Sequence, residues 1–175
     1  KRGLHGQKNI TMNKHHHHKH SGLTTNKIGN ETCVICGHVT YLDPKLVVAA
    51  IIADDNGIIL VKRAIEPGVG KWSFPSGYVN RGETLESAMS REVMEECGIK
   101  VSVGWVSGLY STEGNPIVLA VFNVDWISGK LKVNDSETTD VRVFPINQLP
   151  DLAFEHDKNI IQDWVNNLAM RHVSR

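Results

Sequence analysis

From residue 46 onward apolar and polar positions alternate in a regular way. LVVAAIIAD (46–54) and GIILVKRA (57–64) are aliphatic, β-branched runs separated by an Asp-Asn-Gly turn, the pattern of a hairpin. VSVGWVSGLYS (101–111), PIVLAVFNVDW (116–126) and DVRVFPI (140–146) have the lengths and patterns of three more strands. Between these groups Leu85, Ala88, Met89 and Val93 recur at steps of three and four, which predicts a helix with Thr84 as N-cap and Gly98 just past its end. A second amphipathic helix is expected from Asp157, its N-cap, with Ile160, Ile161, Trp164, Val165 and Leu168 on one stripe. Strands mixed with two well-separated helices predict an α/β layered sandwich.

The first helix carries its charge in an unusual place. Glu92, Glu95 and Glu96 occupy its last turns, where the backbone carbonyls already present partial negative charge. A cation is therefore expected nearby. Glu92 and Glu96 lie one turn apart, with Glu95 beside that row. Magnesium typically binds through one or two carboxylates, several waters and substrate phosphates, so the arrangement suits magnesium-assisted phosphate chemistry.

The spacing adds to this. Gly77, five residues, Glu83, seven residues, Arg91, Glu92, Val93, one residue, Glu95, Glu96, one residue, Gly98 and Ile99 resemble the signature of the Nudix hydrolases, with every fixed position filled. The resemblance implies an α/β/α sandwich with a mixed sheet over residues 45 to 170. It also implies hydrolysis of a nucleoside diphosphate linked to another moiety, with Mg2+ or Mn2+ as cofactor. Glu92 and Glu96 are the expected principal metal ligands, Glu95 a further ligand or the group that orients the attacking water, and Gly77 the turn whose carbonyl faces the metal. The resemblance implies that Arg91 pairs with Glu83 at the loop–helix junction, which makes these two structural. Glu137 stands where related proteins carry an acidic residue near the metals and is the candidate general base, with Asp140 as its neighbour; a solvated loop carboxylate is the competing reading. His156 is expected at the surface or in packing.

RAIEPGVGKWSFPSGYVNRGE, from Arg63, resembles a subgroup acting on ADP-ribose, flavin adenine dinucleotide and similar compounds. Arg63 and Lys71 are candidate phosphate contacts, and Trp72 and Tyr110 candidate base-stacking residues, with core packing the alternative for the aromatics. WVSGLYSTEGNP (105–116) lacks the SQPWPFP-type run of NADH-cleaving relatives. Two other functions stay open: hydrolysis of nucleoside triphosphates, told apart by release of inorganic pyrophosphate, and a nucleotide-sensing module without turnover. No DNA-binding element follows residue 170 to favour the sensor.

Residues 1 to 30 are polar and hold six of the nine histidines, including His15 to His18 and His20, so this segment is expected to be disordered, as a tag or as a metal-attracting tract. Cys33 and Cys36, two residues apart, form half a zinc knuckle. In related Nudix proteins a zinc ribbon with two such pairs precedes the domain, and residues 31 to 44 resemble its second half. Zinc there would need other ligands, for which His18 and His20 are candidates; a packed turn is the alternative. Lys+Arg and Asp+Glu number 19 each, which provides no global field for nucleic acid or membrane surfaces. The expected partner is a small nucleotide, with a homodimer left open. No apolar run approaches the roughly 20 residues that cross a bilayer, no cleavable leader is recognisable, and three cysteines are too few for a disulfide framework. A cytoplasmic protein is expected.

Overall fold

The computed structural model describes residues 22–26, 30–41, 43–134 and 136–173. The chain divides into two compact units at Asp43 and Pro44. The first contains a three-stranded antiparallel sheet of β1 (Leu23–Thr25), β2 (Glu31–Cys33) and β3 (Val39–Thr40). Leu23–Thr25 lies inside the segment expected to be disordered, and its pairing with Glu31–Cys33 shows that this short stretch finds backbone partners despite its polarity. Cys33 and Cys36 bracket a tight turn in which Gly37 N–H donates to the Cys33 carbonyl at 2.9 Å and Cys33 N–H to the His38 carbonyl at 2.8 Å. The Cys33 side is buried and Cys36 exposed. The two sulfurs are half of a closed zinc set, and His18 and His20 lie outside the described residues.

The second unit is built on one mixed sheet. Its strands are β4 (Lys45–Asp54), β5 (Gly57–Arg63), β6 (Trp72–Ser73), β7 (Ser76–Tyr78), β8 (Ile99–Ser111), β9 (Ile117–Gly129) and β10 (Thr138–Phe144). The order is β10-β5-β4-β9-β8, with β6 on β5 and β7 on β4. β4 and β9 run parallel over eight pairs from Lys45↔Ile117 to Ile52↔Val124, and the other neighbours are antiparallel.

The expected hairpin forms, but only at its tip. Asp54 Oδ1 takes the N–H groups of Asn56 and Gly57, and β4 and β5 then pair only at Ala53↔Ile58 and Asp54↔Gly57. Beyond that they part. β7 occupies the same edge of β4 at Val47, Val48 and Ala49, while β5 turns to β10 and β6.

Alternation through the strands explains the two cores. Val48, Ala50, Ile52, Ile59, Val61, Ala120, Phe122 and Val124 face α1 (Leu85–Cys97), whose Ala88, Met89, Val93 and Cys97 complete one cluster. Ala49, Ile51, Ile58, Leu60 and Val121 face the other way, towards Ile160, Ile161 and Trp164 of α2 (Asp157–Val173). Near-continuous apolar runs are what a sheet covered on both faces requires, so the layered α/β expectation is met. Thr84 caps α1 by accepting the Ser87 N–H, and Gly98 closes it in the left-handed region at φ 69°, where a side chain would be strained. Asp157 differs from its expected N-cap role. Its Oδ2 accepts the N–H of Phe154, three residues earlier, as the third helical residue of a capping box does.

Candidate active site

β7 lies along the C-terminal half of α1, so the helix brings its glutamates against the Ser76–Tyr78 backbone. Arg91 is the centre of the cluster. Its Nε donates to Glu83 Oε1 and one terminal nitrogen to Glu83 Oε2, both at 3.0 Å, and that nitrogen also reaches the Tyr78 carbonyl at 3.1 Å. The other terminal nitrogen contacts Glu92 Oε1 and, at 3.1 Å, Glu95 Oε2. The Glu83 carboxylate also accepts the Asn80 N–H. Held by the fork of the guanidinium and then by that N–H, Glu83 is lowered to about 2. The same carboxylates hold the Arg91 proton more firmly than usual.

Glu92 has the opposite tendency. Burial raises its carboxyl most; Arg91 opposes this, and the negative charges of Glu95 and Glu137 add to the rise. Glu96 is buried, and its Oε2 accepts the Ser76 N–H at 2.8 Å. A Cβ added to Gly77 would fall on the Glu92 carboxylate, so only glycine lets the β7 backbone lie directly on that group. Glu95 is half exposed. Glu137 is exposed just before β10; its carbonyl takes the Ala64 N–H at 2.7 Å, and its charge reaches Glu92. Asp140 is turned away, onto Arg142.

Among the described residues no three His, Cys, Asp or Glu side chains converge on a single point that could hold a metal ion. The cation expected beside the last turns of α1 is supplied, for Glu92 and Glu95, by Arg91. The donor chemistry still fits a hard divalent ion: oxygen ligands only, a half-buried carboxylate crowded by two others, and a side-chain-free cradle at Gly77.

The four residues nominated for substrate contact are engaged elsewhere. Arg63 Nε donates to the Pro67 carbonyl at 2.6 Å, and its guanidinium lies 5.2 Å from the Phe154 ring centre. Lys71 pairs with Asp151 at 3.5 Å on the surface. Trp72 belongs to the α2-side core, edge-on to Phe144 at 4.6 Å and with Arg142 over its ring, so stacking on a substrate base gives way to packing. The Tyr110 hydroxyl donates to Asp163 Oδ2 at 3.0 Å, tying β8 to α2, and burial with that carboxylate raises it to about 12. His156 is stacked on Phe154 and half exposed, and burial lowers its pKa.

Sequence reasoning missed the main-chain partners: the N–H groups of Ser76 and Asn80 and the Tyr78 carbonyl. Backbone groups carry no residue-type signal. It also missed Asp157 as a buried carboxylate, 2% exposed and raised to about 7 by burial, against weaker opposition from the Phe154 N–H and Arg63.

A mixed sheet between two helices, with glutamates gathered on one arginine at a loop–helix junction, defines an α/β sandwich with an acidic site. The NUDIX domain model matches residues 43–164, and the chain belongs to the Nudix hydrolase family. It is 40% identical over 129 residues to an ADP-ribose pyrophosphatase of Methanocaldococcus jannaschii, covering 71% of this chain and 75% of that protein. It is 32% identical over 129 residues to the NAD-capped RNA hydrolase NudC of Vibrio atlanticus, covering 71% of this chain but only 47%, about half, of that relative's length. A Nudix hydrolase from Nitrosomonas europaea has a similar structure, with a TM-score of 0.72 at 28% identity over 80% of this chain and 82% of its own. No described helix is long and apolar enough to cross a membrane.

Proposed function

We propose that this protein hydrolyses the pyrophosphate bond of a nucleoside diphosphate linked to another moiety, with ADP-ribose as the leading substrate. Water adds its oxygen to one phosphorus while the bridging P–O bond breaks, giving AMP and ribose 5-phosphate. The observation that carries this reading is the carboxylate cluster of α1 lying on the bare Gly77 backbone. The 40% identical relative named an ADP-ribose pyrophosphatase supports the substrate.

Glu92 and Glu96, with Glu95 and the Gly77 carbonyl, would hold Mg2+ or Mn2+. Such an ion neutralises phosphoryl charge and makes bound water more acidic. Arg91 keeps Glu83 ionised and spans to Glu92 and Glu95, so the loop before α1 and the helix hold one geometry. The Ser76 N–H orients the buried Glu96 carboxylate. Glu137 lies just before β10, its charge acts on Glu92, and its carboxylate would take the proton from the attacking water.

The test is a substrate panel with magnesium and with manganese, scored by product. ADP-ribose, flavin adenine dinucleotide, nucleoside triphosphates and NAD-capped RNA cover the alternatives. AMP plus ribose 5-phosphate from ADP-ribose is expected. Turnover confined to triphosphates, with release of inorganic pyrophosphate, overturns the reading.

A further inference from the structure

The last turn of α1 carries no basic residue, yet its final carbonyls need donors. Residues 130–134, which follow β9, supply them from outside the helix. Lys132 N–H donates to the Cys97 carbonyl at 3.1 Å. Asn134 Nδ2 donates at 3.4 Å to the Met94 carbonyl, which also takes the Gly98 N–H. The Lys132 side chain lies across Gly98, where an added Cβ would fall on its Cγ, so the glycine that ends the helix also makes room for the lysine. Leu131 packs against the α1-side core that includes Val93 and Cys97. Together these contacts hold one stretch of chain against the end of the helix.

Glu137 follows three residues after Asn134. There the Ala64 N–H bonds the Glu137 carbonyl at 2.7 Å, so the approach to Glu137 is fastened to α1 on one side and to the end of β5 on the other. The Glu137 charge acts on Glu92, which puts its carboxylate within electrostatic reach of the α1 cluster. A proton acceptor works only within hydrogen-bond reach of its water, and a misplacement of about 1 Å costs on the order of a hundredfold. The placement of Glu137 relative to α1 therefore matters more than the position of either alone.

We infer that Lys132 and Asn134 are positioning residues: they strap the helix that carries the glutamates to the chain that carries Glu137, so that the group taking the proton keeps a fixed distance from the α1 cluster. This rests on the hydrolase reading above. Both donate to backbone carbonyls of the helix, so their effect on the reaction is exerted through Glu137.

The experiment is the double variant Lys132→Pro with Asn134→Ala, which removes both donors and is checked for folding by circular dichroism. The kcat for ADP-ribose should fall on the order of tenfold with KM within about twofold. In a Glu137→Gln background the same double change should cost less than about twofold, because the group being positioned no longer acts. Hydrogen exchange at the Ala64 amide, the partner of the Glu137 carbonyl, should quicken on the order of tenfold in the variant without any substrate present. Exchange needs no turnover, so a protein whose Ala64 amide responds in this way but which leaves ADP-ribose intact refutes the hydrolase reading alone. Unchanged Ala64 exchange, or in an active protein a kcat that is unchanged or falls equally with and without Glu137, overturns the strap. Should the double variant not fold, Asn134→Ala alone is read the same way at about threefold, and no change in Ala64 exchange again overturns it.

Discussion

Glu83 and Asp157 stand at the beginnings of the two long helices, yet they occupy opposite ends of the carboxylate scale. Glu83, one residue before the Thr84 cap, is lowered to about 2, whereas Asp157, at the start of α2, is raised to about 7. A helix N-terminus favours negative charge in both places, worth some tenths of a kcal/mol. The difference comes from partners. Glu83 receives a two-pronged guanidinium and a backbone N–H, whereas Asp157 is buried with one N–H from Phe154 and His156 Nε2 at 3.8 Å, and the Arg63 guanidinium that acts on it is spent on Pro67 and the Phe154 ring. At Asp157 burial outweighs the groups that favour the charge, while at Glu83 the Arg91 fork and the Asn80 N–H outweigh burial.

Glu96 is the third case, buried but held by a backbone N–H, and its variant gives the largest effect. Glu96→Gln keeps an oxygen for the Ser76 N–H and loses the charge. Turnover should fall about 10³-fold, the scale of removing one charge-stabilising group from an active site, with the thermal midpoint nearly unchanged. A variant as active as wild type would remove Glu96 from the catalytic cluster.

Asp157→Asn breaks the comparison at its other end. The folded carboxyl binds its proton up to about pH 7 and the unfolded one only to about pH 4, so between these values the folded state holds more protons. The contribution of Asp157 to stability is therefore fully present below pH 4 and is lost as pH rises through 7. An uncharged Asn still accepts the Phe154 N–H and escapes that loss. The variant should match wild type at pH 4 and exceed it above pH 7 by at most about 4 kcal/mol, the scale set by a three-unit shift. His156, lowered by burial, contributes the opposite slope and lies 3.8 Å from Asp157 Oδ1, so the comparison is made in a His156→Gln background, where the difference between the two urea curves across pH isolates Asp157. A constant difference would show that Asp157 is ionised throughout.

Arg91→Met tests the α1 end directly. It strips the ion partner from Glu92, a carboxyl that burial already pushes up, and leaves Glu83 with the Asn80 N–H alone. A loss of about 2 kcal/mol is expected in chemical denaturation, below the range for fully buried pairs because Arg91 is partly exposed. Added Mn2+ should recover part of it if the freed glutamates grip the ion. Stability equal to wild type would mean the cluster does not depend on its arginine.

The same contrast explains what the sequence made legible. The five large strands, both helices and the glutamate spacing follow from periodicity, because a sheet covered on both faces and a one-sided helix leave strong patterns. β6 and β7, of two and three residues, carry no period, and they form where the Val47–Ala49 edge and β5 offer unpaired backbone. The parting of β4 from β5 was equally hidden, since the Asp54–Gly57 turn signals a hairpin tip and nothing about its length. Trp72 shows the limit for site residues: its neighbours in sequence are a loop, and only the three-dimensional register reveals that it packs on Phe144. Asp157 reads as a cap from its place before an apolar stripe, and whether a carboxylate reaches forward to the helix or back to Phe154 depends on the preceding turn.

The smallest effect separates the two helix starts. Thr84 Oγ1 accepts the Ser87 N–H at 3.2 Å, so Thr84→Ala leaves one amide of the first turn of α1 without its side-chain acceptor, a cost of about 1 kcal/mol. That cost should be independent of pH, because no titrating group provides the cap. At α2 the corresponding bond is made by a carboxyl that titrates, so the two starts respond differently to the same scan. Measured together, the Thr84→Ala deficit should stay flat from pH 5 to 8 while the Asp157→Asn difference grows. A Thr84→Ala deficit that widens with pH would mean that Glu83, its neighbour, depends on the cap for its hold on Arg91, and that the loop–helix junction is softer than the guanidinium fork implies.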